Sequence, residues 1–339
     1  MDVKCQNCGS ENAERHIYCE RCGAVIVRPL QIDEAAIRGP KQDAVRAIDR
    51  RSQTDVILPV TLVWLIVVLT IVSIVASISL SVLQVLNSFD NPSDSYWRFL
   101  PSFATLSIGS LIADLIMFYV YYVLVKRQND HYARERELRT AIISLIRAAA
   151  TTPDRQNLVE GDLMTMGMLN SVKDRYRRPW FWVLAAALPM LMIPVTLAVF
   201  IFVDYRDIPL FLVAVVMLGV IATAIASLIL QLVMFRFLGN TMFDHAMRWN
   251  TFAIAARTAL SKLGFPAGKP FKIHSLPERS FILYLVLTIF TSIFVYYWIY
   301  ALVKDPNEHF TYQWEFEDNL LSAVGGFRLP AFKDGTWVP

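Results

Sequence analysis

Five long apolar runs limit what this chain can become. Residues 57–86 ("ILPVTLVWLIVVLTIVSIVASISLSVLQVL"), 180–203, 208–235 and 281–303 hold no charged side chain, and residues 103–125 hold one, Asp114. At about 1.5 Å per residue, each run reaches across the roughly 30 Å hydrocarbon layer of a bilayer. A backbone at that depth must satisfy its own polar groups, so such runs are expected to be helical. Charge content agrees, since 18% of the 339 residues are charged against about a quarter in a soluble domain. The expected fold is an all-α membrane protein: a bundle of about five transmembrane helices spanning residues 57–86, 103–125, 180–203, 208–235 and 281–303. No cleavable signal peptide is expected ahead of them, because the first 56 residues are polar and contain every cysteine.

Those cysteines form the most specific motif. In "CQNCGSENAERHIYCERCG", Cys5 and Cys8 make one Cys-x-x-Cys pair, and Cys19 and Cys22 make a second. Gly9 and Gly23, just after each pair, free the backbone for a tight turn. Four thiolates at this spacing predict one structural zinc, which supplies the folding energy that so short a module cannot draw from a core. Disulfides are the rival reading, but a Cys-x-x-Cys pair strains a direct bridge and reducing cytosol opposes it. His16 is a competing ligand, although four cysteines already fill the shell. Residues 4–26 resemble the small zinc ribbons at the N-termini of many prokaryotic membrane proteins, including Cys-Gly after both pairs and Tyr18 before the third cysteine. The resemblance implies a docking module rather than chemistry. It divides the chain into a ribbon (1–26), a polar linker with a short helix (27–56) and a membrane domain (57–339).

Loop charges set the expected topology. Arg46, Arg50 and Arg51 precede the first run, Arg134, Arg136, Arg139 and Arg147 follow the second, and Arg236, Arg248 and Arg257 follow the fourth. Basic flanks stay in the cytoplasm, so the N-terminus and residues 126–179 and 236–280 are expected inside. The acidic loop 87–100 and the "DYRD" hairpin (204–207) are then expected outside.

One phrase recurs where runs end: "YVLVKRQNDHY" (122–132) and "YALVKDPNEHF" (300–310), with a weaker copy around Asp244 and His245. Read locally, Lys126 and Lys304 snorkel at the membrane edge, and Asn129 and Asn307 cap new helices. Those helices are amphipathic: Leu138, Ile142, Leu145, Ile146 and Ala149 share a face opposite Arg134, Arg136, Arg139 and Arg147, and Phe310, Trp314 and Leu321 form a stripe. The unit is a spanning helix, a capped bend and an interfacial amphipathic helix. For the last copy two arguments collide: the repeat puts it inside, whereas counting five crossings and its acidic character (Glu315, Glu317, Asp318) put His309 and the C-terminus outside. The expectation follows the count. The segment "SIFVYYWIYALVKDPNEHF" also resembles the helix of an uncharacterised family of prokaryotic membrane proteins carrying Ile-Tyr-x-x-Tyr-Trp-x-Tyr, with Ile293, Phe294, Tyr297, Trp298 and Tyr300 in register. That resemblance implies a class and no activity.

Few residues point to function. Asp114 is a charge in the second span, where such groups mark a pathway or a buried partner. The expected partner is the face of Ser73, Ser77 and Ser81. His131, His245 and His309 would form a metal or proton site if the repeats ring one axis, and would otherwise be separate polar residues at helix starts, which is the expectation taken here. Gly-rich phosphate loops, nucleophile elbows and His-Glu-x-x-His are absent, so no enzyme is expected. A net charge of +3 spread over loops suits lipid headgroups and predicts no nucleic-acid partner. The functional expectation is a membrane-anchored adaptor with a protein partner on its ribbon; the alternative is a small-solute or ion transporter using Asp114.

Overall fold

The computed structural model describes residues 3–5, 7–13, 18–23, 34–88, 100–187, 210–265, 273–324, 331–333 and 336–338. Residues 89–99 and 204–207 of the loops expected outside, Pro189 and Pro194 of the third run, and His16 lie outside the described residues. The chain is mostly helical, at 81%. In the N-terminal module β1 (Val3–Lys4) pairs antiparallel with β2 (Glu11–Asn12). The helices are α1 (Glu34–Asp49), α2 (Arg51–Thr54), α3 (Thr61–Ser88), α4 (Leu100–Ala149), α5 (Pro153–Ser171), α6 (Leu210–Lys262), α7 (Phe281–Phe290) and α8 (Phe294–Val324), with residues 179–187 also helical. A C-terminal hairpin pairs β3 (Ala331–Lys333) with β4 (Thr336–Val338).

Two stretches are long and apolar enough to cross a membrane: Thr61–Leu86, with mean hydropathy 2.7, and Leu218–Lys262, at 2.3. Only 17% of either apolar window is buried, which is the reverse of a soluble core helix. Trp64, Val72 and Ile78 on α3, Leu218 and Ile229 on α6, and Ile289 and Phe290 on α7 all stand exposed. An exposed apolar belt of this extent is compatible with a membrane location.

Two of the helix pairings are antiparallel. Trp182 packs on Phe237 while Ser227 bonds the Ala185 carbonyl, so residues 179–187 run antiparallel to α6. Phe281 meets Trp298, Tyr284 meets Phe294, and Arg279 pairs with Asp305, so α7 and α8 are antiparallel too. The expected fifth span is therefore two legs rather than one helix. A turn at Thr291–Ile293 breaks it, and α7, with 10 residues, reaches only about half the bilayer. The turn leaves little backbone unpaired: Thr291 N and Oγ1 both bond the Leu287 carbonyl, and Phe294 N bonds the Thr291 carbonyl.

The second legs do not bend at the membrane edge. Helices α4, α6 and α8 continue unbroken through their polar halves, so the capped bends expected at Asn129 and Asn307 do not form. Each asparagine instead clamps a non-helical segment with both amide atoms. Asn129 donates to the Arg177 carbonyl (2.6 Å) and accepts from Arg177 N (3.1 Å). Asn307 donates to the Leu58 carbonyl (2.7 Å) and accepts from Leu58 N (3.2 Å). Both segments lead into a proline, Pro59 or Pro179, at or just before the start of the next helix. A third non-helical segment, ahead of α7, is tied by Asn250, whose amide donates to the His274 carbonyl.

Beyond the apolar belt the polar halves assemble a second core. Ile48 of α1, Leu138, Ile142 and Ile146 of α4, Val159 of α5, Phe252 and Ala256 of α6, and Phe316 of α8 are buried together. The amphipathic faces are thus covered by protein rather than by a lipid surface. Arg134 and Arg139, expected on the polar side, are buried as well. Residues 34–54 pack into this platform instead of forming a free linker. Because α8 sits among α1, α4 and α6, residues 304–324 lie on the same side of the apolar belt as residues 126–149 and 236–262. The expectation that His309 and the C-terminus leave on the opposite face counted residues 281–303 as one crossing, and the turn at Thr291–Ile293 interrupts that run.

Pro306 inside α8 shows how tightly this level is built. Proline has no N–H for the carbonyl four residues back, which is Leu302. Arg127 Nη2 donates to that carbonyl at 3.2 Å and to Val303 O at 3.1 Å, while Nη1 bonds Asn307 Oδ1 at 2.7 Å. Burial pulls the Arg127 pKa down to about 9, and carbonyl dipoles rather than a carboxylate hold its charge.

Candidate functional site

Two clusters of metal-capable side chains stand in the described residues. The first is the cysteine tetrad. Gly9 and Gly23 have φ of 70° and 68°, and their amides close the turns on Cys5 O and Cys19 O at 2.8 Å. This brings Cys5 Sγ to 3.6 Å from Cys22 Sγ, and Cys8 Sγ to 3.5 Å from Cys19 Sγ. Sulfurs on a tetrahedral ion at about 2.3 Å would sit about 3.8 Å apart, so the tetrad fits a metal with little movement. The Ser10 hydroxyl lies 3.1 Å from Cys8 Sγ and 3.0 Å from Cys19 Sγ. Its hydrogen bond is the main reason the Cys19 thiol falls to about 5, and it lowers Cys8 as well. Both shifts favour the thiolates that bind metals.

The second cluster lies between the apolar belt and the platform core. Here the three repeat histidines converge. Ring centroids are 5.2 Å apart for His131 and His245, 5.3 Å for His131 and His309, and 5.5 Å for His245 and His309. That is nearly an equilateral triangle, with one corner from each second leg. Flanking aromatics follow the same rotation: Phe310 of α8 covers His131 at 4.4 Å, and Tyr132 of α4 covers His245 at 4.1 Å. The corresponding residue on α6 is Ala246, which has no ring to offer. The repeated phrase therefore builds a quasi-threefold site, and the expectation of three separate interfacial histidines is corrected.

Glu135, one helical turn after His131, completes the cluster. Its Oε2 lies 2.6 Å from His245 Nε2 and 3.4 Å from His131 Nε2, and the two Nε2 atoms are 3.2 Å apart. The positions matching Glu135 on the other two legs are Trp249 and Gln313, so one carboxylate serves three histidines. Exposure is 0% for His131, Glu135 and His245 and 3% for His309.

A second ring of charges surrounds these groups. Asp55, between α2 and α3, lies 3.0 Å from His131 Nδ1 and receives Arg134 (2.6 and 3.2 Å) and Trp314 Nε1 (2.9 Å). Arg134 also pairs with Glu317 at 2.7 Å, and Gln313 donates to the same Glu317 oxygen. Asp174 lies 3.5 Å from His245 Nδ1 and pairs with Arg248. Arg139 Nε lies 3.1 Å from Glu135 Oε1. Burial alone would raise Asp55 and Glu135, but the first is outweighed by His131 and Arg134 and the second by His245, His131 and Arg139, so both end below the usual carboxylate range. Burial lowers His131, yet Asp55 and Glu135 outweigh it and raise the group. Burial, reinforced by the two other imidazoles, holds His309 well below its ordinary value.

The acids next to the repeat histidines are not the partners. Asp130 pairs with Lys126, Glu308 with Lys304 and His274, and Asp244 is exposed. Asp114 stands apart in α4, half-buried. Of its expected serine partners, Ser73 and Ser81 donate to the Leu69 and Ser77 carbonyls of their own helix.

No known protein family, curated protein or solved structure matches this chain. Fold and sites define a mostly helical protein with two helices able to cross a membrane, a cysteine cluster able to hold a metal ion, and a buried histidine-carboxylate centre.

Proposed function

We propose that this protein is a membrane-anchored adaptor. Four of the apolar runs cross the bilayer, and the fifth is the re-entrant α7–α8 hairpin. The platform built from α1, α5 and the polar halves of α4, α6 and α8 stands in the cytoplasm, because its exposed side chains include Arg136, Arg147 and Lys262 and basic flanks are retained there. Cys5, Cys8, Cys19 and Cys22 hold one structural zinc, and the resulting ribbon docks a protein partner. Once bound, the metal would fold the module and has no catalytic step to perform.

The observation that carries this reading is the packing of the platform. Its amphipathic faces are spent on an internal core, and its polar centre is sealed under Tyr132, Phe310 and Trp314. Such a body suits a rigid support better than a substrate site. Affinity purification from gently solubilised membranes, with and without residues 1–26, tests the docking role; partners should be lost with the ribbon, and an unchanged partner list would remove that role. A zinc content that falls by one equivalent per chain in Cys8→Ser/Cys22→Ser tests the ribbon itself. The transporter alternative keeps one supporting observation, the half-buried Asp114.

A further inference from the structure

We infer that His131, His245, His309 and Glu135 form a second metal site, taking a divalent first-row transition ion of the manganese-to-zinc range. This goes beyond the adaptor reading and stands whether or not the ribbon docks a partner.

The donor atoms are already gathered. All four ligand atoms lie within 4.8 Å of one another, and three of the separations are 2.6, 3.2 and 3.4 Å. Nitrogen and oxygen donors at about 2.0–2.2 Å from one tetrahedral ion sit about 3.3–3.6 Å apart. Two of the three separations are close to that spacing and the third is shorter.

Protons alone serve this arrangement poorly. His309 Nε2 is buried and has no hydrogen-bond partner among the described residues. His131 and His245 turn their Nε2 atoms toward each other and toward the same oxygen of Glu135. A buried imidazole nitrogen left without a partner calls for a water or an ion.

The outer carboxylates select the ligand tautomer. Ionised Asp55 can only accept, so His131 Nδ1 at 3.0 Å carries the proton and a neutral ring then points a lone pair from Nε2 into the cluster. Asp174 faces His245 Nδ1 in the same sense at 3.5 Å. Carboxylates behind histidine ligands fix ring orientation in this way and raise ligand basicity. The donor set also names the class of ion. Three imidazoles and one carboxylate suit manganese, iron, cobalt, nickel or zinc, whereas copper(I) asks for sulfur and calcium or magnesium for oxygen. With one corner on each of three second legs, the ion would tie α4, α6 and α8 together where they leave the apolar belt.

Elemental analysis of the full-length protein in mild detergent tests the site. Preparations are loaded anaerobically with Mn(II), Fe(II), Co(II) or Zn(II) and desalted. The Cys8→Ser/Cys22→Ser background removes the ribbon ion, so the two sites are counted separately. One equivalent per chain should remain in that background and should fall below about 0.2 in His245→Gln or His309→Gln. Bound Co(II) should show the ligand-field spectrum of nitrogen and oxygen ligands without sulfur charge transfer. Asp174→Asn should keep the stoichiometry while weakening affinity about 10–100-fold, a change that simple structural loosening would not give. A folded, monodisperse ribbon variant that retains less than about 0.2 equivalent of every ion would overturn the inference. So would full retention in both histidine variants. If those variants do not fold, Glu135→Gln with unchanged affinity overturns it as well.

Discussion

Asp55→Ala should be among the most damaging single changes outside the metal ligands. Asp55 is 1% exposed and its carboxylate collects five contacts: Arg134 at 2.6 and 3.2 Å, Thr54 Oγ1 at 2.8 Å, Trp314 Nε1 at 2.9 Å and His131 Nδ1 at 3.0 Å. Removing one partner of a buried ion pair costs about 3–5 kcal/mol, because the other charge stays behind. Arg134 keeps Glu317, which sets the expectation at the lower end of that range. A kcal/mol moves the midpoint by about 2–4 °C in a body of a couple of hundred residues, so the expected drop is roughly 6–12 °C. Asp55→Asn preserves shape and one acceptor and should lose about half as much, near the worth of hydrogen bonds to a charged group. Tryptophan fluorescence during heating in mild detergent reads the transition, at one fixed scan rate because large proteins unfold irreversibly. An Asp55→Ala midpoint within about 2 °C of wild type would refute the claim that this network holds the platform together.

Arg127→Met should cost about 1–3 kcal/mol by leaving the Leu302 carbonyl without a donor. Pro306→Ala restores that carbonyl's own N–H, so in a double-mutant cycle read by the same thermal assay the cost of Arg127→Met should shrink by about half or more. Asp114→Asn should change stability by less than about 1 kcal/mol, since no ion pair holds the carboxylate among the described residues and exposed or half-exposed changes of this kind are small. If that variant folds but abolishes an ion flux in reconstituted vesicles, the transporter reading displaces the adaptor.

What could be read from sequence depended on how local the signal was. The cysteine tetrad is written within residues 5–22, and two of its turns are fixed by adjacent glycines. Apolar runs announce themselves by composition, yet hydropathy carries no record of a hairpin. Thr291 and Ser292 were the available sign, since hydroxyl side chains compete for backbone groups, and no glycine or proline reinforced them. The repeated phrase marked all three histidines, and their convergence was conditional on the repeats ringing an axis. The acids that complete the site could not be found that way: Asp55 is 76 residues from His131, and Glu135 is 110 from His245. His131 and Glu135, one turn apart, were the only local hint. Burial of Arg134 and Arg139 defeated amphipathic reasoning because an arginine with carboxylates on two sides can sit in a core that a helical wheel assigns to leucine.

The central claim is that all three second legs leave the apolar belt on one side and meet there. Single cysteines at Thr140, Thr258 and Ser322 test it most directly, one on each of α4, α6 and α8, all exposed, in a background where Cys5, Cys8, Cys19 and Cys22 are serine. An impermeant thiol reagent applied to intact cells and then to opened cells reports the side of each position. All three should stay unlabelled until the cells are opened. Labelling of Ser322→Cys on intact cells, with Thr140→Cys and Thr258→Cys protected, would put α8 across the membrane from its partners and contradict the account.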